Sequence, residues 1–411
     1  MLQARPLYKM LALVLSGLVI GSVASFTIVE KICELGLGTS IWIDTSKVSP
    51  GYTLVAPYYG DNDFDEPGEV HLIDNTGDAV HTWYTRYPTL ISYLQPNGHL
   101  FAAMTPPINI ADFPSGGSTG LIQELDWEGN VLWEYEDRQM THDFEVLPNG
   151  NIVYTRWSLA PKRFAESVRG GMQLPTTMVW TNELVEVNRD KKIVWTWRPE
   201  DHLDPHRYVL GPLTPRNDWA HINSVRYTLD NPITHTPAYL ISARNISTLF
   251  IIDAKTGAVI WETKRILSLQ HDATFTDAGN VLVFDNGFLR DIPRPLLVSG
   301  VGEVDPRTNE ILWTYSGGSS TLEKAQFTSS IMGGAQRLPN GNTLITASMA
   351  NTVLEVTEEG SVAWKFTNDF RDSKGRMHVT FKVRKYDSTG TMWEPMLSKQ
   401  WDVSDVLCHF E

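Results

Sequence analysis

Three histidines stand at matching points of the chain. His142-Asp143-Phe144 runs into a turn at Pro148-Asn149-Gly150-Asn151, and His271-Asp272-Ala273 runs into Ala278-Gly279-Asn280, each histidine eight residues before its turn glycine. His221-Ile222-Asn223-Ser224 leads to Leu229-Asp230-Asn231 in the same layout. Arg244 ends the returning segment after the second of these turns, and Arg156 is its counterpart one repeat earlier. Three imidazoles can hold Zn²⁺ and activate a water, which would make the chain a metal-dependent lactonase or esterase. A guanidinium beside them disfavours a dication and favours a tetrahedral oxyanion, to which it offers a planar fork of donors. A neutral imidazole can also attack an electrophilic sulfur or phosphorus while neighbouring cations stabilise the transferred oxygens. Asp272 could orient a neighbouring imidazole or pair with an arginine. The residue types alone leave these chemistries open.

The elements that must bring these residues together form a repeat. Apolar-alternating segments carry a tryptophan near the end of each outer strand, at Trp83, Trp133, Trp195, Trp261, Trp313 and Trp364. Their spacing is roughly 50 to 66 residues, at the long end of the known repeat periods. Between them lie hairpins with Asn-Gly or similar turns at 93–104, 142–157, 221–244, 271–287 and 333–348, a strong hairpin signal between alternating apolar runs. Two hairpins make a four-stranded sheet, and six such sheets around an axis make an all-β, six-bladed β-propeller. The first sheet lacks an inner strand before 52–56, and the segment 378–386 is expected to supply it and close the ring. One tryptophan per blade reads as packing between blades.

In that fold the tight turns share one face and the long connections share the other. The long ones run over 105–119, 158–181, 198–220, 288–298 and 316–332. His142, His221 and His271 each open an inner strand just after a long connection, so they are expected at one mouth of the axial channel, with Arg244 and Arg156 ending strands that return to it. Functional loops gather on one face of a rigid scaffold. His202 and His206 lie on a long loop that could carry them to the same mouth. His71, His81, His99, His235, His378 and His409 are left as structural or exposed.

Composition fits a β-rich globular body: 42% hydrophobic, 20% charged, with a net charge of −14 that argues against nucleic-acid binding. The start of the chain differs. Arg5 and Lys9 precede an uncharged run from Met10 to Val29, long enough to cross a bilayer as a helix, with the basic flank left in the cytoplasm. Ser22-Val23-Ala24 can also be read as a signal-peptidase site. The expected organisation is a cytoplasmic basic tail over 1–9, a transmembrane signal anchor over 10–30, a linker over 31–50, the propeller over 51–387 and a C-terminal extension over 388–411. Either reading of the anchor puts the propeller on the periplasmic or extracellular side. Cys33 and Cys408 could form a disulfide if the fold brings the termini together.

At these residues the chain resembles a known family. Thr141-His142-Asp143-Phe144, Trp219-Ala220-His221-Ile222-Asn223-Ser224-Val225, Ser242-Ala243-Arg244, Gln270-His271-Asp272-Ala273 with Phe284-Asp285-Asn286-Gly287, and the run from Gly334 to Leu344 are similar to the bacterial arylsulfate sulfotransferases. The resemblance covers about 50–366. It implies a propeller that moves a sulfuryl group from a phenolic sulfate ester to a phenolic acceptor, without the nucleotide donor PAPS and without a cofactor or metal. It further implies His271 as the nucleophile, passing through a sulfohistidine, with His142, His221 and Arg244 binding the sulfuryl oxygens. Two features of well-known members are missing: 31–51 is too short for their N-terminal β-sandwich, and no cysteine pair here could form their short-range disulfide. An ester hydrolase on the same propeller and a non-catalytic, membrane-anchored scaffold are the competing readings.

Overall fold

A computed structural model describes residues 40–58, 67–107, 113, 116–174, 176–263, 266–287, 298–368, 370–371, 375 and 377–388. Six antiparallel four-stranded sheets follow one another along the chain. The innermost strands of blades 2 to 6 are Thr89–Leu94, Met140–Val146, Ile222–Thr228, His271–Phe275 and Gly334–Arg337. Four of the five return through the short turn that their Asn, Asp and Gly residues suggest, while blade 4 returns through the longer connection 229–237. Gly150 (φ 82°) and Gly279 (φ 75°) take the left-handed conformation there, which glycine adopts without steric cost.

Blade 1 starts from the far end of the chain. Its inner strand is Arg384–Tyr386, which pairs with Tyr52–Val55 in the register Tyr52↔Tyr386 and Leu54↔Arg384. Just before it, Val379–Thr380 pairs with Pro57–Tyr58. The segment expected to close the ring does so. Blade 6 carries a fifth strand, Ser40–Ile43, against the edge strand Val362–Thr367, so part of the expected linker belongs to the propeller.

The core is distributed. A separate hydrophobic cluster lies between each pair of neighbouring blades, for example Val153, Leu184, Ile222 and Ile241 between blades 3 and 4. The outer tryptophans tie these interfaces together. Trp83 Nε1 donates to Asp126 O (2.9 Å), Trp133 to Arg189 O (3.0 Å), Trp313 to Glu358 O (2.7 Å) and Trp364 to Asn75 O (2.8 Å), each on a turn of the next blade. In blade 3 this bond comes from Trp197, to Gly257 O (2.9 Å), while Trp195 stacks on Tyr239. The tryptophans are therefore packing residues, as their spacing suggested.

The expected membrane span, the possible cleavage site, Cys33, Cys408, His409 and most of the C-terminal extension lie outside the described residues. Among the described residues no helix is long and apolar enough to cross a membrane.

Candidate active site

Each histidine sits where its strand breaks pattern. The pairing of Met140–Val146 with its neighbour skips between Thr141 and Phe144, that of Ile222–Thr228 between Ile222 and Ser224, and that of His271–Phe275 between His271 and Thr274. Such bulges re-aim side chains. His142 (φ 38°), His221 (φ 60°) and Asp272 (φ 53°) hold positive φ there, which costs a non-glycine residue energy that surrounding contacts must repay. The peptide bond Trp219–Ala220, one residue ahead of the bond to His221, is cis.

The bulges turn the rings toward one another. The His142 and His221 rings lie 4.4 Å apart in a T-shaped arrangement, and Trp157 packs edge-on against both, at 5.9 and 5.7 Å. Phe381 lies on the other side, 6.5 Å from the His142 ring and 6.2 Å from that of His271. All three histidines are buried. The Arg244 guanidinium is close enough for its charge to act on both His142 and His271. The four residues singled out in the sequence thus converge.

Each ring is held by a different partner on Nδ1. His271 Nδ1 faces Asn286 Oδ1 at 2.7 Å, and the amide of Asn286 is oriented by its own donors, Nδ2 donating to Ser329 O (2.7 Å) and Met332 O (2.8 Å). The asparagine therefore presents an acceptor, Nδ1 carries the proton, and Nε2 keeps its lone pair. The Met332 N–H donates to that Nε2 at 3.3 Å. His221 Nδ1 faces Asp218 Oδ2 at 2.6 Å. His142 Nδ1 faces the Thr141 hydroxyl, which donates to Gly117 O (3.1 Å) and so accepts from the ring. Arg244 donates from Nη1 to Asn245 Oδ1 (2.7 Å), and Asn245 Nδ2 donates to Asp218 O (2.8 Å).

Burial pushes the affinity of His142 for protons well below its ordinary value, reinforced by His221, His271, Arg244 and Lys382. Burial does the same to His271, with Arg244 adding to it and the Asn286 bond opposing. Both rings are neutral at neutral pH, as a nitrogen nucleophile must be. Among the described residues no group of three His, Cys, Asp or Glu is arranged to hold a metal ion.

Other candidates fall elsewhere. Arg156 turns to Glu183 (2.7 Å) and Asp137 (3.3 Å). His202 stacks on Trp197, and His206 is tied to Asp204 within the loop. Asp272 reaches no imidazole; Arg384 (2.6 Å) and Lys382 (3.0 Å) take its carboxylate. The reading of the sequence assigned no role to Asp218, Asn286, Thr141, Trp157 or Phe381. For Asn286 a signal existed: it stands just past the second strand of its blade, as Arg244 does one blade earlier. Phe381 carried none, because only ring closure brings it to the axis.

No curated protein matches the chain. Several solved structures are similar to it at low identity. A protein of unknown function from Bacteroides caccae is 14% identical, over 82% of this chain and 99% of its own, with a TM-score of 0.49. A streptogramin B lyase is 10% identical over 85% and 98%, with a TM-score of 0.44. A virginiamycin B lyase from Staphylococcus aureus is 10% identical over 79% and 87%, with a TM-score of 0.41. The arylsulfotransferase (ASST) family model matches residues 111–369, well over half of the chain and the stretch that carries all three histidines and Arg244, and the chain therefore belongs to the arylsulfotransferase family.

Proposed function

We propose that this protein transfers a sulfuryl group from a phenolic sulfate ester to a phenolic acceptor through a covalent sulfohistidine at His271. The observation that carries the reading is the asparagine-fixed tautomer of His271: a buried, neutral ring whose unprotonated Nε2 is met by the Met332 N–H, with Arg244 and His221 near enough for their charges to act on the ring. In the first half-reaction Nε2 bonds to sulfur while the sulfur–oxygen bond to the donor breaks. The departing phenolate takes a proton from His221. In the second, the acceptor phenol returns a proton to His221 and its oxygen takes the sulfuryl group as the nitrogen–sulfur bond breaks.

His221 suits the proton role because a carboxylate, Asp218, faces its Nδ1, where His142 has only a hydroxyl. Arg244, anchored through Asn245, is left to hold the sulfuryl oxygens, and His142, neutral with its proton on Nδ1, joins it only on taking up a second proton. The uncharged run 10–29 behind Arg5 and Lys9 supports a propeller anchored on the far side of a membrane.

Incubation with p-nitrophenyl sulfate followed by intact-mass measurement tests the reading. The wild-type chain is expected to gain about 80 Da, one sulfuryl unit held in a covalent intermediate, and His271→Ala to gain nothing. A gain that survives in His271→Ala sinks the assignment of the nucleophile.

A further inference from the structure

Directly beside the histidines, the axis of the propeller is filled by charge. Asp143 follows His142 and Asp272 follows His271 in the sequence, and both carboxylates are buried. Lys382 joins them: its Nζ donates at 3.0 Å to Asp143 Oδ2 and at 3.0 Å to Asp272 Oδ1, with only 2% of its side chain exposed. Arg226 reaches Asp143 at 3.0 Å and Asp272 at 3.5 Å, and Arg384 reaches Asp272 at 2.6 Å. Tyr93 donates to Asp143 Oδ1 (2.7 Å), and Ala335 N donates to Asp272 Oδ2 (3.2 Å). Every blade contributes a group.

These contacts fall where the backbone ladder is weakest. The pairing of the inner strand skips over 142–143 in blade 3 and over 272–273 in blade 5. The ladder therefore leaves Asp143 and Asp272 themselves unpaired, although His271 still stands opposite Phe284 and His142 N donates to Gly117 O (2.7 Å). The side chains of the two aspartates anchor the bulges. A carboxylate locked to a rigid partner restrains its own Cα, and with it the Cα of the histidine one residue before it. Blade 4 stands between the two blades, and its Arg226 also spans the two carboxylates, closely at Asp143 (3.0 Å) and more loosely at Asp272 (3.5 Å). Lys382 is the one residue that touches both carboxylates from the closing segment, whose Phe381 also packs on both imidazoles.

We infer that Lys382 is a positioning residue: by bridging Asp143 and Asp272 it sets the separation and orientation of His142 and His271 across the axis. It lies outside the stretch 111–369 that the family model matches. The ring-closing segment thus builds the floor of the site as well as shutting the propeller. The inference rests on the proposed transfer only for its kinetic readout.

The test is Lys382→Met in the full chain, assayed for transfer from p-nitrophenyl sulfate to phenol. Misplacement of reacting groups by about 1 Å costs about 10²-fold in rate, so kcat is expected to fall about 10²-fold with KM changed less than about threefold. Lys382→Arg, which can still span two carboxylates, should recover part of the loss. Wild-type kcat in Lys382→Met, a change confined to KM, or no recovery at all with Lys382→Arg overturns the inference. If Lys382→Met does not fold, Asp143→Asn/Lys382→Met removes one charge of each sign and decides: a comparable fall in kcat supports the bridge, and wild-type kcat overturns it. If the wild-type protein transfers no aryl sulfate, the proposed function fails by itself, and imidazole nitrogen NMR carries the question. His142 and His271 signals displaced or doubled in Lys382→Met support positioning, and signals identical to wild type overturn it.

Discussion

At the scale of the residue, the decisive atom is the side-chain oxygen of Asn286. Imidazole has two nitrogens of nearly equal basicity, and a ring free to exchange its proton would offer Nε2 as a nucleophile only part of the time. Asn286 removes the choice, because its amide is itself held by the Ser329 and Met332 carbonyls. Asn286→Leu keeps the volume and loses the acceptor. We expect kcat for aryl sulfate transfer to fall about 10- to 100-fold with KM nearly unchanged, less than the roughly 10⁴-fold seen when a triad histidine is left in the wrong tautomer. Single-turnover formation of the covalent adduct checks this. An adduct formed at the wild-type rate in Asn286→Leu would leave the tautomer argument without force.

At the scale of the element, each blade is a sheet that cannot bury its faces alone and depends on its neighbours. In five of the six blades a tryptophan of the outer strand serves both sides of that contact: its ring packs at the interface and its Nε1 reaches a turn carbonyl of the next blade. In blade 4, Trp261 Nε1 is buried without a partner among the described residues. Trp364 matters most, since it is fully buried and its bond to Asn75 O joins the last complete blade to the first. Trp364→Ala is expected to cost about 3–5 kcal/mol from the cavity it opens. Trp364→Phe is expected to cost less, about 1 kcal/mol for the hydrogen bond lost to the partly buried Asn75 carbonyl, in addition to the effect of the smaller ring. Urea denaturation measures both. Equal costs for the two substitutions would mean that the ring contributes nothing beyond its hydrogen bond.

At the scale of the whole molecule, the site carries a cost that appears in acid. Burial, aided by neighbouring cations, depresses proton binding at His142 and His271 below the ordinary 6.5. Between 6.5 and their folded values the unfolded chain therefore binds more protons than the folded one, and stability falls as pH falls, by up to about 1.4 kcal/mol per pH unit for each ring. Glu145, which burial holds above its ordinary 4.5, opposes part of this as pH drops toward its range. Asp272 adds a second loss only below 3.8: burial disfavours its charge, but Arg384, Lys382 and Arg226 outweigh that and hold it ionised. The urea midpoint should decline from pH 7 to 5, and the decline should be shallower in His142→Gln/His271→Gln. The same slope in both proteins would show that other groups set the acid response.

The sequence by itself determined the repeat. Alternation, Asn-Gly turns and one tryptophan per blade are local signals, and each hairpin forms within a few residues of the chain, so six sheets and the shared position of His142, His221 and His271 could be read directly. Arg244 followed from the same periodicity. Contacts across the axis left no such trace. Lys382 meets Asp143 over 239 residues of chain and Asp272 over 110, and nothing in the spacing of any of them shows that closure will stack the segment 381–384 beneath the histidines. Likewise Asn286 selects the tautomer of His271, while Arg156, at an equivalent place in the repeat, is drawn off to Glu183 and Asp137. Periodicity assigns each residue a blade and a height. Which partner a charged side chain takes is settled by burial and Coulomb attraction between blades that are neighbours only after the ring has closed.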